Sequence, residues 1–239
     1  MNPLVLSLFP GIGLLDMAFE EEGFCVVRGP DLLWGGDIRR FHPPSGKFDG
    51  VIGGPPCQAF SPLRLLVEHN GYRVAENMIP EFARCVAEAS PAWFLMENVP
   101  AAPTPAVSGY AVRDTLVRDV HVGGESNRLR RFSFGHVGNE AVTLSIQWSA
   151  LCRPDPMPTA LASGFDAGGR RGRQRANKAA ALGYKTLACF GATKRAQGLA
   201  DDYDLPGLTV AAKVKAVGNG VPLAMGRAVA KAVRRAMVQ

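Results

Sequence analysis

Short apolar runs that stop at glycine or proline alternate along this chain with stretches of helical periodicity, a pattern few folds accept. "PLVLSLF" (3–9) is too short for a helix and ends at Pro10-Gly11. "LLDMAFEEEG" follows, with Leu14, Leu15, Met17, Ala18 and Phe19 ahead of three acids, and reads as a helix stopped by Gly23. "FCVVRG" and "DGVIGG" read as the second and third strands. "ENMIPEFARCVAEAS" sets Met78, Ile79, Phe82, Val86 and Ala89 on one helical face, with Pro80 tolerable only in the first turn. "PAWFLMENV" is an uninterrupted fourth strand and "RRFSFG" a late one. "PLAMGRAVAKAVRRAMVQ" is a closing helix with Met225, Val229, Val233 and Met237 inward. The alternation implies an α/β fold, a mostly parallel sheet with helices on both faces. Ligands of such sheets sit outside the carboxyl ends of the strands. Gly11-Ile12-Gly13, Cys57 and Glu97-Asn98 all fall there.

The stretch "GGPPCQAFS" (53–61) raises its own question. Pro-Pro cannot donate ladder hydrogen bonds and fixes the backbone where the third strand stops. Cys57 is thereby held rigidly at a strand end, as a buried thiol or as a reactive one. The five cysteines stand singly, without CxxC or zinc spacing, which implies a reducing compartment and no disulfide framework. No apolar run approaches the ~20 residues a bilayer span needs, and "MNPLVLSLFPGIG" lacks the basic start of a secretory signal. A cytoplasmic protein is expected, with neither membrane partner nor metal.

The 239 residues suffice for one core and a smaller second lobe. Between 136 and 190 periodicity breaks down among Gly, Ala and Arg residues. This divides the chain into a main domain over 1–135, an inserted lobe over 136–190 and a return to the main domain over 191–239. The net charge of +6 is compatible with a polyanionic partner. Within the lobe "GGRRGRQRANK" gathers Arg170, Arg171, Arg173 and Arg175, which suits either a solvated loop or nucleic-acid contact.

"LFPGIG" is a glycine turn between strand and helix, where the backbone can approach a ligand closely. It lacks the third glycine of a dinucleotide fingerprint, and no GK[ST] marks a phosphate loop. A nucleoside cofactor without a cradled phosphate fits better. Asp31, after the second strand, is placed to accept from ribose hydroxyls, or is a turn residue following Pro30.

With "FPGIG", "GGPPCQAFS", "MENVP", "SNRLRRF" and "VGNGVP" in this order, the sequence resembles the cytosine-5 DNA methyltransferases, over roughly 3–135 and 195–239. The resemblance implies a Rossmann-like S-adenosylmethionine-dependent methyltransferase sheet, double-stranded DNA as substrate and S-adenosylhomocysteine as product. It implies that Cys57 adds to cytosine C6, turning the poorly nucleophilic C5 into an enamine-like carbon. Glu97 would hold the N3 and exocyclic-amine edge. Arg128 and Arg130 match the arginines of a Q-x-R-x-R pattern and would orient that acid and contact the flipped nucleotide's backbone. Ser126 stands in the glutamine's place, and Arg131 occupies an apolar position of the pattern.

The cofactor positions implied are Phe9, Gly11, Gly13, Asp31, Asp37, Ile38, Pro55, Asn219 and Val221. The base must leave the stack, at a cost of a few kcal/mol. Gln58 and Ser61, with Arg64 and Arg73 in the loop after Cys57, would meet the DNA. The small lobe would be the target-recognition region, with the arginine loop and Thr186 reading the groove or gripping phosphates. Only five residues separate Asp31 from Asp37, against the ten or so that a parallel crossover needs, which predicts a sheet trimmed between the second and third strands.

The size suits a monomer in a bacterial or phage-infected cell, in a restriction-modification setting. Three alternatives remain. Thymidylate synthases also use a Pro-Cys nucleophile, but lack the glycine turn, ENV and GNGVP. A tRNA cytosine-5 methyltransferase of the same fold would differ mainly in the lobe. A catalytically weak DNA-binding protein, or a partner subunit of a split enzyme, would have no need of Cys57, Glu97, Arg128 and Arg130 together.

Overall fold

The computed structural model describes residues 2–57, 60, 76–151, 154–157, 159–161, 164–165 and 187–237. Its centre is a six-stranded sheet in the order β2-β1-β3-β4-β6-β5. Strands β1 (Leu4–Leu8), β2 (Cys25–Arg28), β3 (Gly50–Gly53) and β4 (Trp93–Asn98) pair in parallel. Strands β5 (Tyr110–Arg118) and β6 (Leu129–Val137) form an antiparallel hairpin whose β6 arm pairs antiparallel with β4. The sheet is therefore mixed, where the sequence reading expects a mostly parallel one. β5 escapes that reading because polar and charged residues interrupt its apolar ones, as suits a sheet edge.

Successive side chains of a strand face opposite sides, and the two cores follow that alternation. Val5, Ile52, Trp93 and Leu95 pack with Leu15 and Phe19 of helix α1 (Leu14–Glu21) and with Met225, Val229 and Val233 of the C-terminal helix. On the other side Leu6, Leu8, Val51, Phe94 and Met96 meet Phe82, Val86 and Ala89 of helix α2 (Ile79–Ala89). Helices thus cover both faces, as expected. Three described helices close the chain: α3 (Leu187–Ala196), α4 (Val210–Asn219) and α5 (Leu223–Ala236). Val142, Leu144 and Ile146, which the sequence reading gives to the lobe, pack on the first of these cores. The described residues between 136 and 190 include a hairpin of two-residue strands, β7 (Ala160–Leu161) with β8 (Gly164–Phe165).

Between β2 and β3 the chain forms two 3₁₀ turns, Leu32–Trp34 and Ile38–Arg40. An aspartate caps each: Asp31 accepts from Leu33 N at 2.7 Å and Asp37 from Arg39 N at 3.1 Å. No helix among the described residues is long and apolar enough to cross a membrane.

The register of the central strands is fixed by aromatic rings lying over glycines. Trp93 pairs with Gly50 and Phe94 with Gly135, and a Cβ on either glycine would come within 2.2 Å of the ring. Gly135→Ala is expected to cost about 1–3 kcal/mol by overpacking. Gly191→Ala, which enters open space inside α3, should instead gain about 0.5–1 kcal/mol. Urea midpoints of the two variants check both signs.

Candidate active site

The carboxyl ends of β1, β3 and β4 share one rim because the three strands are parallel. β6 runs the other way, so its beginning reaches that same rim, with Arg131 opposite Asn98 and Phe132 opposite Glu97. Arg130 therefore lies on the same face as Glu97, and its Nε sits 2.8 Å from Glu97 Oε1. Both side chains are about nine-tenths buried, 12% and 11% exposed, so the pair is shielded from solvent. A Cβ at Gly54 would lie 3.2 Å from Glu97 Oε2, which shows how closely the start of the Cys57 loop passes over that carboxylate.

Cys57 follows as a half-buried free thiol, with its carbonyl accepting from Phe60 N at 3.0 Å. Its loop is anchored from below by a residue that the sequence reading quotes within "ENV" but assigns no role. Asn98, fully buried, donates from Nδ2 to Pro55 O at 3.1 Å and accepts from Val99 N at 2.8 Å. The last residue of β4 thus sets the height of the Cys57 loop above the last residue but one. Pro55 itself is buried.

Arg128 is placed differently from Arg130. Only 2% exposed, it donates to the carbonyls of Ala160 in β7 (2.6 Å), Gly218 (3.0 Å) and Asn219 (3.5 Å). Burial pushes its pKa down to about 9, with Arg130 pushing the same way while Glu97, Cys57 and Asp119 oppose. It stays charged at neutral pH, within electrostatic reach of Cys57 and Glu97. Ser126 is buried and gives both its backbone N–H and its hydroxyl to Asp119 Oδ2 (3.0 and 2.8 Å). Burial raises the Asp119 carboxyl above its ordinary pKa, against those bonds to Ser126 and the attraction of Arg128. Arg131 lies on the opposite face of β6, its Nη1 3.6 Å from Asp114 Oδ2, with Nε and Nη2 buried and unpartnered.

The second cluster surrounds the β1–α1 turn. Phe9, Gly11 and Gly13 all adopt positive φ (55°, 57° and 80°). Asp31 Oδ2 accepts from Gly11 N at 2.8 Å and Trp34 Nε1 donates to Gly11 O at 2.7 Å, so the first 3₁₀ turn is fastened to the glycine turn by both polar atoms of one residue. A Cβ on Gly11 would meet none of the described residues within 4 Å, whereas one on Gly13 would strike the Arg28 guanidinium at 2.6 Å. That guanidinium is held by Asp16 (Nε to Oδ2, 3.0 Å), whose other oxygen accepts from Ser7 Oγ at 2.5 Å. Burial raises the Asp16 carboxyl despite its bonds to Ser7 and Arg28.

Open space beside Gly11, a carboxylate able to accept further hydroxyls and an exposed indole fit a nucleoside lacking phosphates. Asp37 is spent on Arg39, which holds its carboxyl below the ordinary range. Ile38 and Val221 are buried in the two cores, and Asn219 is exposed as the last residue of α4. Gln58, Ser61, Arg64, Arg73, Arg170, Arg171, Arg173, Arg175 and Thr186 lie outside the described residues.

Residues 35–118 match the family described as C-5 cytosine-specific DNA methylase. The type II methyltransferase M.NgoPII of Neisseria gonorrhoeae is 32% identical over 120 residues, covering 41% of this chain and 34% of that protein. M.HgiDI of Herpetosiphon aurantiacus is 28% identical over 162 residues, covering 55% and 51%. The chain thus spans about a third to a half of the length of these relatives. Among solved structures, the Entamoeba histolytica methyltransferase EhMeth matches with a TM-score of 0.63 at 14% identity over 99% of both chains, a likeness of fold.

Removing one partner of a buried ion pair leaves the other charged and unpaired, at about 3–5 kcal/mol. Arg130→Met is expected to lose stability on that scale, and the double variant Glu97→Gln/Arg130→Met to recover part of it. A double-mutant cycle of urea unfolding measures the coupling.

Proposed function

Because this chain belongs to the cytosine-5 DNA methyltransferase family, we propose that it transfers a methyl group from S-adenosylmethionine to C5 of cytosine in double-stranded DNA. The observation that carries this reading is the shielded Glu97–Arg130 pair directly beneath the loop of Cys57. A nucleophile and a fixed carboxylate on one rim are what a pyrimidine ring needs for attack at C6.

In this reading the base leaves the duplex and lies between the two groups. The Cys57 thiol gives up its proton to solvent, the thiolate sulfur forms a bond to C6, and the C5–C6 π pair moves toward C5, which becomes the nucleophile. Glu97 holds the N3 and amine edge, and Arg130 keeps its carboxylate from rotating away. Asn98 fixes the thiol's height through Pro55. S-adenosylmethionine, when bound, supplies the electrophilic methyl. The C5 proton is then lost to a base and the Cys57–C6 bond breaks, which restores the thiolate and the aromatic ring.

Phe9, Gly11, Gly13 and Asp31 would hold the cofactor's nucleoside, with Asp37, Ile38, Pro55, Asn219 and Val221 around it. The fit at Gly11 and Asp31 supports the first group. Ile38 and Val221 would act as the pocket's apolar backing, since their side chains pack inward. Gln58, Ser61, Arg64 and Arg73 would close on the DNA, while Arg170, Arg171, Arg173, Arg175 and Thr186 of the lobe would read or grip it. The two 3₁₀ turns between β2 and β3 support a sheet trimmed there. The setting would be a monomeric cytoplasmic enzyme of a bacterium or phage, in restriction-modification.

Labelled S-adenosylmethionine and unmethylated duplex DNA, mapped at single-base resolution, test the reading. Label on cytosine C5 in one fixed context, lost in Cys57→Ala, is the expected result. Label on tRNA alone, or none on either nucleic acid while the cofactor is bound, would overturn it.

A further inference from the structure

The C-terminal end of α4 presents four successive carbonyls, those of Val217, Gly218, Asn219 and Gly220. A helix end usually leaves its last carbonyls to water or to the turn that follows. Here two buried side chains reach all four, and Val217 O also accepts from the Gly220 backbone N–H at 3.1 Å. Gln197 donates from Nε2 to Val217 O at 2.7 Å and to Gly220 O at 2.8 Å. Arg128 takes the two between them, with Nη1 on Gly218 O and Nη2 on Asn219 O. The Gln197 main-chain carbonyl also accepts from Leu223 N at 3.0 Å, so the first residue of α5 is tied to the same side chain's backbone.

Gln197 is fully buried, and its Oε1 has no hydrogen-bond partner among the described residues. An apolar residue of the same size would avoid the cost of burying that oxygen. The amide is kept for its two N–H groups, and both are aimed at the turn.

Where the turn sits gives those bonds a purpose. A Cβ on Gly220 would come within 2.6 Å of Leu14 Cδ1, and Leu14 directly follows Gly13. The clamped turn therefore forms the backing of the β1–α1 glycine turn, while Asn219 and Val221 flank it. Arg128 carries the clamp onward to Ala160 in the lobe.

We propose that Gln197 is a positioning residue for the cofactor: together with Arg128 it fixes the Gly218–Val221 turn against Leu14 and so sets the shape of the nucleoside pocket. This rests on the methyl-transfer reading above.

The test is the dissociation constant of S-adenosylhomocysteine by calorimetry, on the full chain without DNA. Gln197→Met keeps the volume and removes both donors. It is expected to weaken binding about tenfold or more, and to raise KM for S-adenosylmethionine while kcat at saturation stays within about threefold. Leu199→Ala hollows the apolar cluster that Leu199 forms with Phe190, Val214 and Leu223, without removing a donor. It should lower Tm yet leave the dissociation constant within about twofold.

If Gln197→Met lowers Tm but binds as the wild type does, Gln197 is only structural and the inference is overturned. If the wild-type protein itself does not bind, the methyl-transfer reading fails first. Amide exchange on the wild type needs no variant. S-adenosylhomocysteine should slow exchange in both 194–199 and 217–223, and slowing at 217–223 alone would contradict the clamp.

Discussion

The antiparallel pairing of β6 with β4 is the constraint on which the site depends. Parallel strands bring their carboxyl ends to one rim, but a parallel neighbour in place of β6 would carry its arginines in the same direction as β4 carries Glu97. Reversal lets a strand deliver residues from its beginning, and the register that sets Arg131 opposite Asn98 puts Arg130 on the face of Glu97. A slip of one residue would move Arg130 to the opposite face, where Arg131 now lies beside Asp114. Phe94 over Gly135 resists that slip by packing, so a contact in the middle of the sheet protects the geometry at its edge.

Around the rim, polar side chains hold backbone in place. Asn98 holds Pro55, Arg128 and Gln197 hold the turn after α4, and Asp31 with Trp34 holds Gly11. Each stabilises a loop that has no ladder of its own. The cost is visible in Arg128 Nε and Gln197 Oε1, which are buried without a partner among the described residues. Such costs concentrate where a backbone must keep one conformation for a ligand.

The central strands and α1, α2 and α5 were legible because each carries a strong pattern: an uninterrupted apolar run, or apolar residues at helical spacing. β5 was not, since Arg113, Asp114 and Arg118 break its run at an exposed edge. α3 hides behind Gly191 and a buried Lys194 that donates to the carbonyls of Asp201 and Tyr203. α4 was not read either, and only the structure shows its cap, Thr209, whose side chain accepts from Ala212 N. Cys57, Glu97 and the glycine turn could be read as types in order. The sequence gives no register, so the different partners of Arg128 and Arg130 could not be read. Gln197 was beyond reach for the same reason: its partners lie 20 and 23 residues away, in a turn it meets only once the chain has folded.

The central claim is that the Cys57 sulfur bonds to cytosine C6. A duplex pool with 5-fluorocytosine in place of cytosine tests it, because fluorine at C5 cannot leave as a proton does and the bond to C6 then persists. With S-adenosylmethionine present, the account predicts a denaturation-resistant protein–DNA complex whose cross-linked peptide contains Cys57. No covalent complex, or one joined through another cysteine such as Cys25 or Cys189, would contradict it.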